Sequence, residues 1–418
     1  MKSRGTFARF VRGATPLGMQ FIATFLGALI ASRLFHGPRI NQYLLITVAV
    51  LPIGFFADWG HATSMTIRYS SNNVGLSEAT GQILRRVLPI AVLTCLASSA
   101  ALIVWPLRKG MTHGESFELL LLVSAGSYLI NVGTILRQHL LAEGRLGSYY
   151  WSLLIAGGGV PLIALIGPSP AFGVVVAATC FVLQQLILLG GVKSRLVWTG
   201  VCLATRSHYR VDERRTAIGV ATLTQALSTT VDLALVMRFF PGELLAYYGV
   251  SRFVQSVLTF AYRPLDGATP QLMSCLRGET EQQRCDGWKG WNQARREAFI
   301  VAIIGAMGVI FLSPIVTNAW LGRAGKADIW VAVFLTLGML ANLVTLERGL
   351  TAMARRKGGY LLRLSFGAFL LRFAVGIMVI LGTGSIRAYS ATAVTILLAI
   401  RIRPATALSR WSNGDSRK

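Results

Sequence analysis

Residues 86–105 read RVLPIAVLTCLASSAALIVW, a run whose single charge, Arg86, stands at its very start. At about 1.5 Å of rise per residue such a run makes a helix about 30 Å long, the thickness of a bilayer's hydrocarbon core. An open strand is excluded there, because lipid offers no partner to its backbone N–H and C=O groups. Comparable runs recur at 16–35, 40–57, 117–136, 150–167, 170–190, 217–240, 244–262, 298–318, 328–346, 359–381 and 386–402. Pro161, Pro168 and Pro170 interrupt residues 150–190, so the division of that stretch stays open. The fold class expected is all-α, a polytopic membrane protein of about 12 transmembrane helices.

Composition agrees. Hydrophobic residues make up 53% of the 418 positions and charged residues only 14%, with a mean hydropathy of +0.57. A soluble domain carries about 25% charged residues, so this chain lacks the polar surface to dissolve in water.

The net charge of +24 invites a nucleic-acid reading, but its distribution argues against one. About 31 of the 41 Lys and Arg fall in or beside alternate linkers and the two termini, about 8 in or beside the opposite linkers, and two, Arg252 and Arg372, deep within spans. The rich segments include Lys2 to Arg12, Lys193 to Arg215, Arg263 to Arg296, Arg348 to Arg363 and Arg401 to Lys418. Positive charge accumulates on the cytoplasmic side, so both termini are expected there, which requires an even number of spans. Anionic membrane lipids are the partners this pattern implies, and no nucleic acid.

The first run follows a basic segment as a signal peptide would. It is longer than an h-region and lacks a small-x-small cleavage site, so it reads as an uncleaved helix. Phe7, Phe10 and Val11 among Arg4, Arg9 and Arg12 suit an interfacial helix or a basic tail. Cys95, Cys180, Cys202, Cys275 and Cys285 form no C-x-x-C pair and have no His at ligand spacing, so no disulfide, metal site or cofactor is expected. Gly322 to Ala327 has the look of a phosphate loop, but its spacing is short and Ala replaces the magnesium-holding hydroxyl.

Laying residues 20–43 over 225–248 aligns Gln20 with Gln225, Thr24 with Thr229, Arg33 with Arg238, Phe35 with Phe240, Gly37 with Gly242 and Tyr43 with Tyr248. The same shift aligns span 1 with span 7 and span 2 with span 8. Two bundles of six helices are therefore expected, residues 1–205 and 206–418, in one orientation about an axis along the membrane normal. In such pairs substrate lies near the midplane between the halves. The linkers are too short for a separate catalytic domain.

An ionisable group at the bilayer centre costs about 2.5–3.5 kcal/mol, so one that persists needs a partner or a task. Tyr248, Arg252, Gln255, Ser256, Thr259 and Arg263 of span 8 follow steps of three and four and share one helical face. Such a stripe suits a watery wall facing an anionic solute; alternatively Arg252 is neutralised by Asp232 of span 7 in a structural ion pair. Gln225, Thr229 and Asp232 form the stripe of span 7, and Gln20, Thr24 and Gly27 its match in span 1. Arg33 and Arg238 are the outer cations of these two stripes and further cavity candidates, though near enough to the interface to snorkel as anchors instead. Ser124, Tyr128, Asn131 and Gln138 of span 4 read as glue between helices. Arg372, deep in span 11, has no acidic partner evident in the sequence and is a further cavity candidate. Asp232 is the one carboxylate well inside a span, where a proton or sodium role is conceivable.

Three stretches carry a resemblance. Ala246-Tyr247-Tyr248-Gly249-Val250-Ser251-Arg252-Phe253, followed by Pro264 and Pro270, resembles the start of the second bundle in the polysaccharide-transport branch of the multidrug/oligosaccharidyl-lipid/polysaccharide (MOP) exporter superfamily. Asn41-Gln42-Tyr43-Leu44 through Phe56-Ala57-Asp58-Trp59-Gly60 to Arg68 is similar to that family's second span and its exit. Leu136-Arg137 through Gly144-Arg145 is similar to its small-and-basic linker after span 4. The resemblance covers nearly the whole chain, but spans 9–12 match little in detail.

The resemblance implies a MATE/MOP-like fold and a flippase, not an enzyme. Such a protein moves an undecaprenyl-diphosphate-linked oligosaccharide across the bacterial inner membrane by alternating access through a cationic cavity, in company with polysaccharide-assembly proteins. Arg252 and Arg68 match arginines of the family stretches, and Arg263 extends the span 8 face. Other readings are a drug/cation antiporter of the same superfamily, which would need cavity carboxylates, and a membrane glycan polymerase or glycosyltransferase, which would need a large outer loop.

Overall fold

A computed structural model describes residues 3–35, 38–58, 60–62, 65, 75–108, 111–202, 215–277, 281–321, 329–354 and 358–402. Thirteen helices account for nearly all of them. The first half holds α1 (Ser3–Leu34), α2 (Pro38–Ala57), α3 (Leu76–Ser99, prolonged to Leu107), α4 (His113–Ala142), α5 (Leu146–Leu153, prolonged to Ile163) and α6 (Pro170–Leu189). A shorter α7 (Gly191–Cys202) follows. The second half holds α8 (Arg215–Phe239), α9 (Leu244–Arg277), α10 (Glu281–Leu321), α11 (Ile329–Ala354), α12 (Gly358–Thr383) and α13 (Ile386–Ile402). Each of the twelve apolar runs coincides with one of these helices, α7 being the extra one, and the chain is a multi-pass membrane protein.

Two spans contain a π turn, and the sequence explains both. In α3 the π turn is Ala100–Val104 and in α5 it is Leu154–Gly159, each followed closely by a proline, Pro106 and Pro161. Proline has no N–H for the carbonyl four residues before it, so the ladder loosens there. In α5 this frees the Gly157 carbonyl, which instead accepts a hydrogen bond from Thr24 Oγ1 of α1 at 2.9 Å. The division of residues 150–190 is thereby settled. Ser169 caps α6, its hydroxyl accepting from Phe172 N at 3.3 Å, with Pro170 in the first turn.

The sequence places residues 58–85, 191–216 and 263–297 in linkers, and the structure differs in all three, α9 running on to Arg277 and α10 starting at Glu281 in the last. Helix α3 begins at Leu76, and Leu76, Ala79, Thr80, Gly81, Ile83 and Leu84 are buried. They pack against α7, where Gly81 faces Gly200 so closely that a Cβ on Gly81 would stand 2.1 Å from the Val197 carbonyl oxygen. Two glycines in register let the backbones touch, a signal that hydropathy does not weigh. At the other terminus α1 runs unbroken from Ser3, so the basic segment continues the first span.

Contacts between the halves are reciprocal: α1 packs on α9 and α8 packs on α2. Phe35 and Phe240, just past the ends of α1 and α8, pack on one core with Tyr43, Tyr248 and Leu244. At this end the halves are sealed together.

Candidate functional site

Below the sealed end lies a cavity of about 80 Å³ between the two halves. Helix α1 contributes Gln20, Phe21 and Thr24, α2 contributes Thr47 and Leu51, and the π turn of α5 contributes Gly157. From α9 come Arg252, Gln255, Ser256 and Phe260. Among these residues Arg252 is the one charge, and none is a carboxylate.

Arg252 is half-buried and reaches across the junction. Its Nη1 donates to Gln255 Oε1 at 3.2 Å, its Nη2 donates to the Thr47 carbonyl of α2 at 3.2 Å, and its guanidinium carbon lies 5.4 Å from the Tyr248 ring centre. Its Nε is buried and has no partner among the described residues. Residues 47 and 252 differ by 205, the shift that aligns the halves, so the clasp joins two positions the alignment pairs. Thr47 keeps its hydroxyl for its own helix, donating to the Tyr43 and Leu44 carbonyls. Phe21 and Phe253 stack 5.7 Å apart across the α1–α9 junction.

The other cavity candidates divide. Gln20 and Thr24 line the cavity with Arg252. Gly27 supplies close packing, since a Cβ there would stand 2.7 Å from the Tyr43 hydroxyl, which donates to the Pro161 carbonyl at 2.9 Å. Arg33 and Arg238 are exposed in the last turns of α1 and α8, where a cation also complements the helix dipole. Arg68 lies outside the described residues, as do the side chains of Gln225, Thr229 and Arg263.

Asp232 does not meet Arg252. Its carboxylate is buried and paired with the Arg372 guanidinium of α12, and it accepts a hydrogen bond from the Tyr389 hydroxyl of α13. The sequence leaves Arg372 without an acid because the two are 140 positions apart. This cluster ties three helices of the second half together, and it occupies the carboxylate that a cation role would need free.

Several motif residues prove to be framework. Asn131 of the α4 stripe donates to the Gly54 carbonyl of α2 at 2.7 Å, and a Cβ on Gly54 would stand 2.9 Å from the Ser127 carbonyl, so this stripe is glue. In the linker after α4, Arg145 Nη1 donates to the Leu188 carbonyl at the end of α6 at 2.8 Å, while Glu143 bridges to Lys193 of α7. That linker therefore latches the α4–α5 turn onto the α6–α7 turn.

Asp58, just beyond α2, is buried, and its two carboxylate oxygens accept from the Ala62 N–H at 2.9 and 3.1 Å. Burial pushes its carboxyl up to about 7, against the opposing pull of backbone N–H groups of Ala62 and Gly60. The folded protein then holds a proton that the unfolded chain has released above about pH 4. Stability is therefore greatest at low pH and falls as pH rises toward 7. Thermal unfolding at pH 5 and pH 8 should show a lower midpoint at pH 8, and Asp58→Asn should flatten the difference; an equal slope in that variant assigns the effect elsewhere.

Sequence reasoning missed Thr47, Gly157, Phe21 and Phe260 in the cavity and Tyr389 beside Asp232. The run Gly157-Gly158-Gly159 before Pro161, inside an apolar span, is a breaker signal that could have flagged the π turn.

No protein-family model matches the chain, and no curated protein matches it. Solved structures do. An outward-facing multidrug resistance MATE family transporter of the MOP superfamily superposes with a TM-score of 0.64 at 13% identity, covering 98% of this chain and 97% of that one. The fold is that of MATE transporters. A MATE protein in complex with MaD3S gives 0.62 at 12% identity over 97% and 96%. A MOP superfamily transporter from Pyrococcus furiosus, described as having a binding pocket of reversed polarity that suggests a different function, gives 0.60 at 12% over 94% and 93%.

Proposed function

We propose that the chain is an exporter of the MOP type that flips a lipid-linked oligosaccharide across the bacterial inner membrane, with Arg252 holding the diphosphate. One observation carries the reading: the polar side chains lining the cavity between the halves, beside the apolar Phe21, Leu51 and Phe260, are an arginine, two amides and three hydroxyls without a carboxylate among the described residues, while Asp232 is engaged by Arg372. A diphosphate carries about two negative charges, and a guanidinium fork offers it paired, charge-assisted hydrogen bonds. On the expected orientation, with both termini cytoplasmic, the end where Phe35 and Phe240 pack would face outward and the cavity would lie on its cytoplasmic side. The transfer breaks no bond, so it needs no nucleophile. The basic linkers would then rest against anionic headgroups, and polysaccharide-assembly proteins would take the product.

A drug/cation antiporter is the second reading, favoured by the multidrug transporters among the structural neighbours. Deleting the gene separates the two. Accumulation of lipid-linked glycan on the inner leaflet, with unchanged drug sensitivity, supports the flippase. Increased sensitivity to cationic drugs with normal surface glycan supports the antiporter and defeats the flippase.

A further inference from the structure

The cavity that holds Arg252 is also lined by an amide, Gln20, that the phosphate reading does not use. Gln20 Oε1 is buried and has no hydrogen-bond partner among the described residues. Its Nε2 lies over Gly157, where a Cβ would stand 1.9 Å away, so an alanine at 157 could not coexist with the amide in this position. A neighbouring Cβ at Gly158 would meet the Gln20 backbone at 3.2 Å, which holds α1 hard against the π turn. The single Thr24 O–H is shared between the backbone carbonyls of Gln20 and Gly157, each at 2.9 Å, which ties the turn that carries the amide to the π turn.

We infer that Gln20 is a specificity residue that hydrogen-bonds a hydroxyl of the sugar next to the phosphate, while Arg252 holds the phosphate itself. The inference rests on the flippase reading of this cavity. A carboxamide offers an acceptor and a donor side by side, the pair that a sugar hydroxyl, itself donor and acceptor, can satisfy. A buried polar atom left unmatched is costly, and a ligand that matches it is preferred over one that does not. Inorganic phosphate can satisfy Arg252 but brings no ring hydroxyl to Gln20. A sugar 1-phosphate does both.

Isothermal titration of the purified full-length protein in nanodiscs, with inorganic phosphate and with glucose 1-phosphate, tests this. The expected result is a preference for glucose 1-phosphate of about tenfold in the wild-type protein, lost in Gln20→Met, which keeps the side-chain length without the amide, and in Gln20→Ala. Thermal unfolding midpoints near the wild-type value establish that both variants are folded. An unchanged preference in both variants, or no preference in the wild type, overturns the role of Gln20 and leaves the anion-binding reading standing. Absence of binding by either compound to the wild type, or phosphate binding by Arg252→Ala equal to wild type, overturns the anion-binding reading and the inference with it.

Discussion

Arg252→Ala should abolish export of the lipid-linked glycan while the protein still inserts and folds. Removing one partner of a desolvated, hydrogen-bonded charge pair costs about 2–5 kcal/mol, which weakens anion binding at least about 30-fold. Folding should suffer far less. Thr47 loses only an added donor at its carbonyl, and Gln255 sits on a half-exposed cavity wall. Arg252→Lys should fall between, because an ammonium keeps the charge but not the fork. The measurement is the ratio of inner- to outer-leaflet lipid-linked glycan in cells carrying each variant at equal abundance. Normal export by Arg252→Ala removes this residue from the mechanism. The Nη2–Thr47 bond adds an expectation: if a phosphate draws the guanidinium away, a contact between the halves should be lost with it.

Asp232 and Arg372 should behave in the opposite way. Either single change, Asp232→Asn or Arg372→Met, leaves one buried charge without its counter-ion and should cost about 3–5 kcal/mol of stability. The double variant replaces the pair with groups of similar volume and should recover most of the loss, because a buried ion pair gives little net stability over well-packed neutral residues. Thermal unfolding of the four proteins forms the cycle that measures this coupling. Export supplies a second readout. Retained export in the folded double variant identifies the cluster as framework; export lost despite restored stability gives Asp232 a task in moving an ion.

Much of the fold was legible because crossing lipid imposes a length and a composition that any linear reading can detect. A helix emerges at each of the twelve apolar runs for that reason, six of them, among the described residues, long and apolar enough to cross a membrane. The linker helix α7 and the early start of α3 were not legible, because Gly81 and Gly200 stabilise each other through packing between segments distant in the chain. The candidate site was half legible. The stripe carrying Arg252, Gln255 and Ser256 followed from helical periodicity, as did Gln20 and Thr24 on α1. Thr47 escaped because it contributes a backbone carbonyl to Arg252, and a carbonyl leaves no mark in side-chain chemistry.

The amino-acid sequence by itself determined the solvent this chain lives in, the twelve apolar helices and the faces on which polar groups gather. Only the tertiary structure decided which arginine is neutralised and which faces a cavity: Arg372 closes on Asp232, and Arg252 spans the junction between α9 and α2. Hydropathy and helical period are local properties, readable along one strand of text. The pairing of charges depends on which helices touch, and that is settled by packing across separations of 140 and 205 residues.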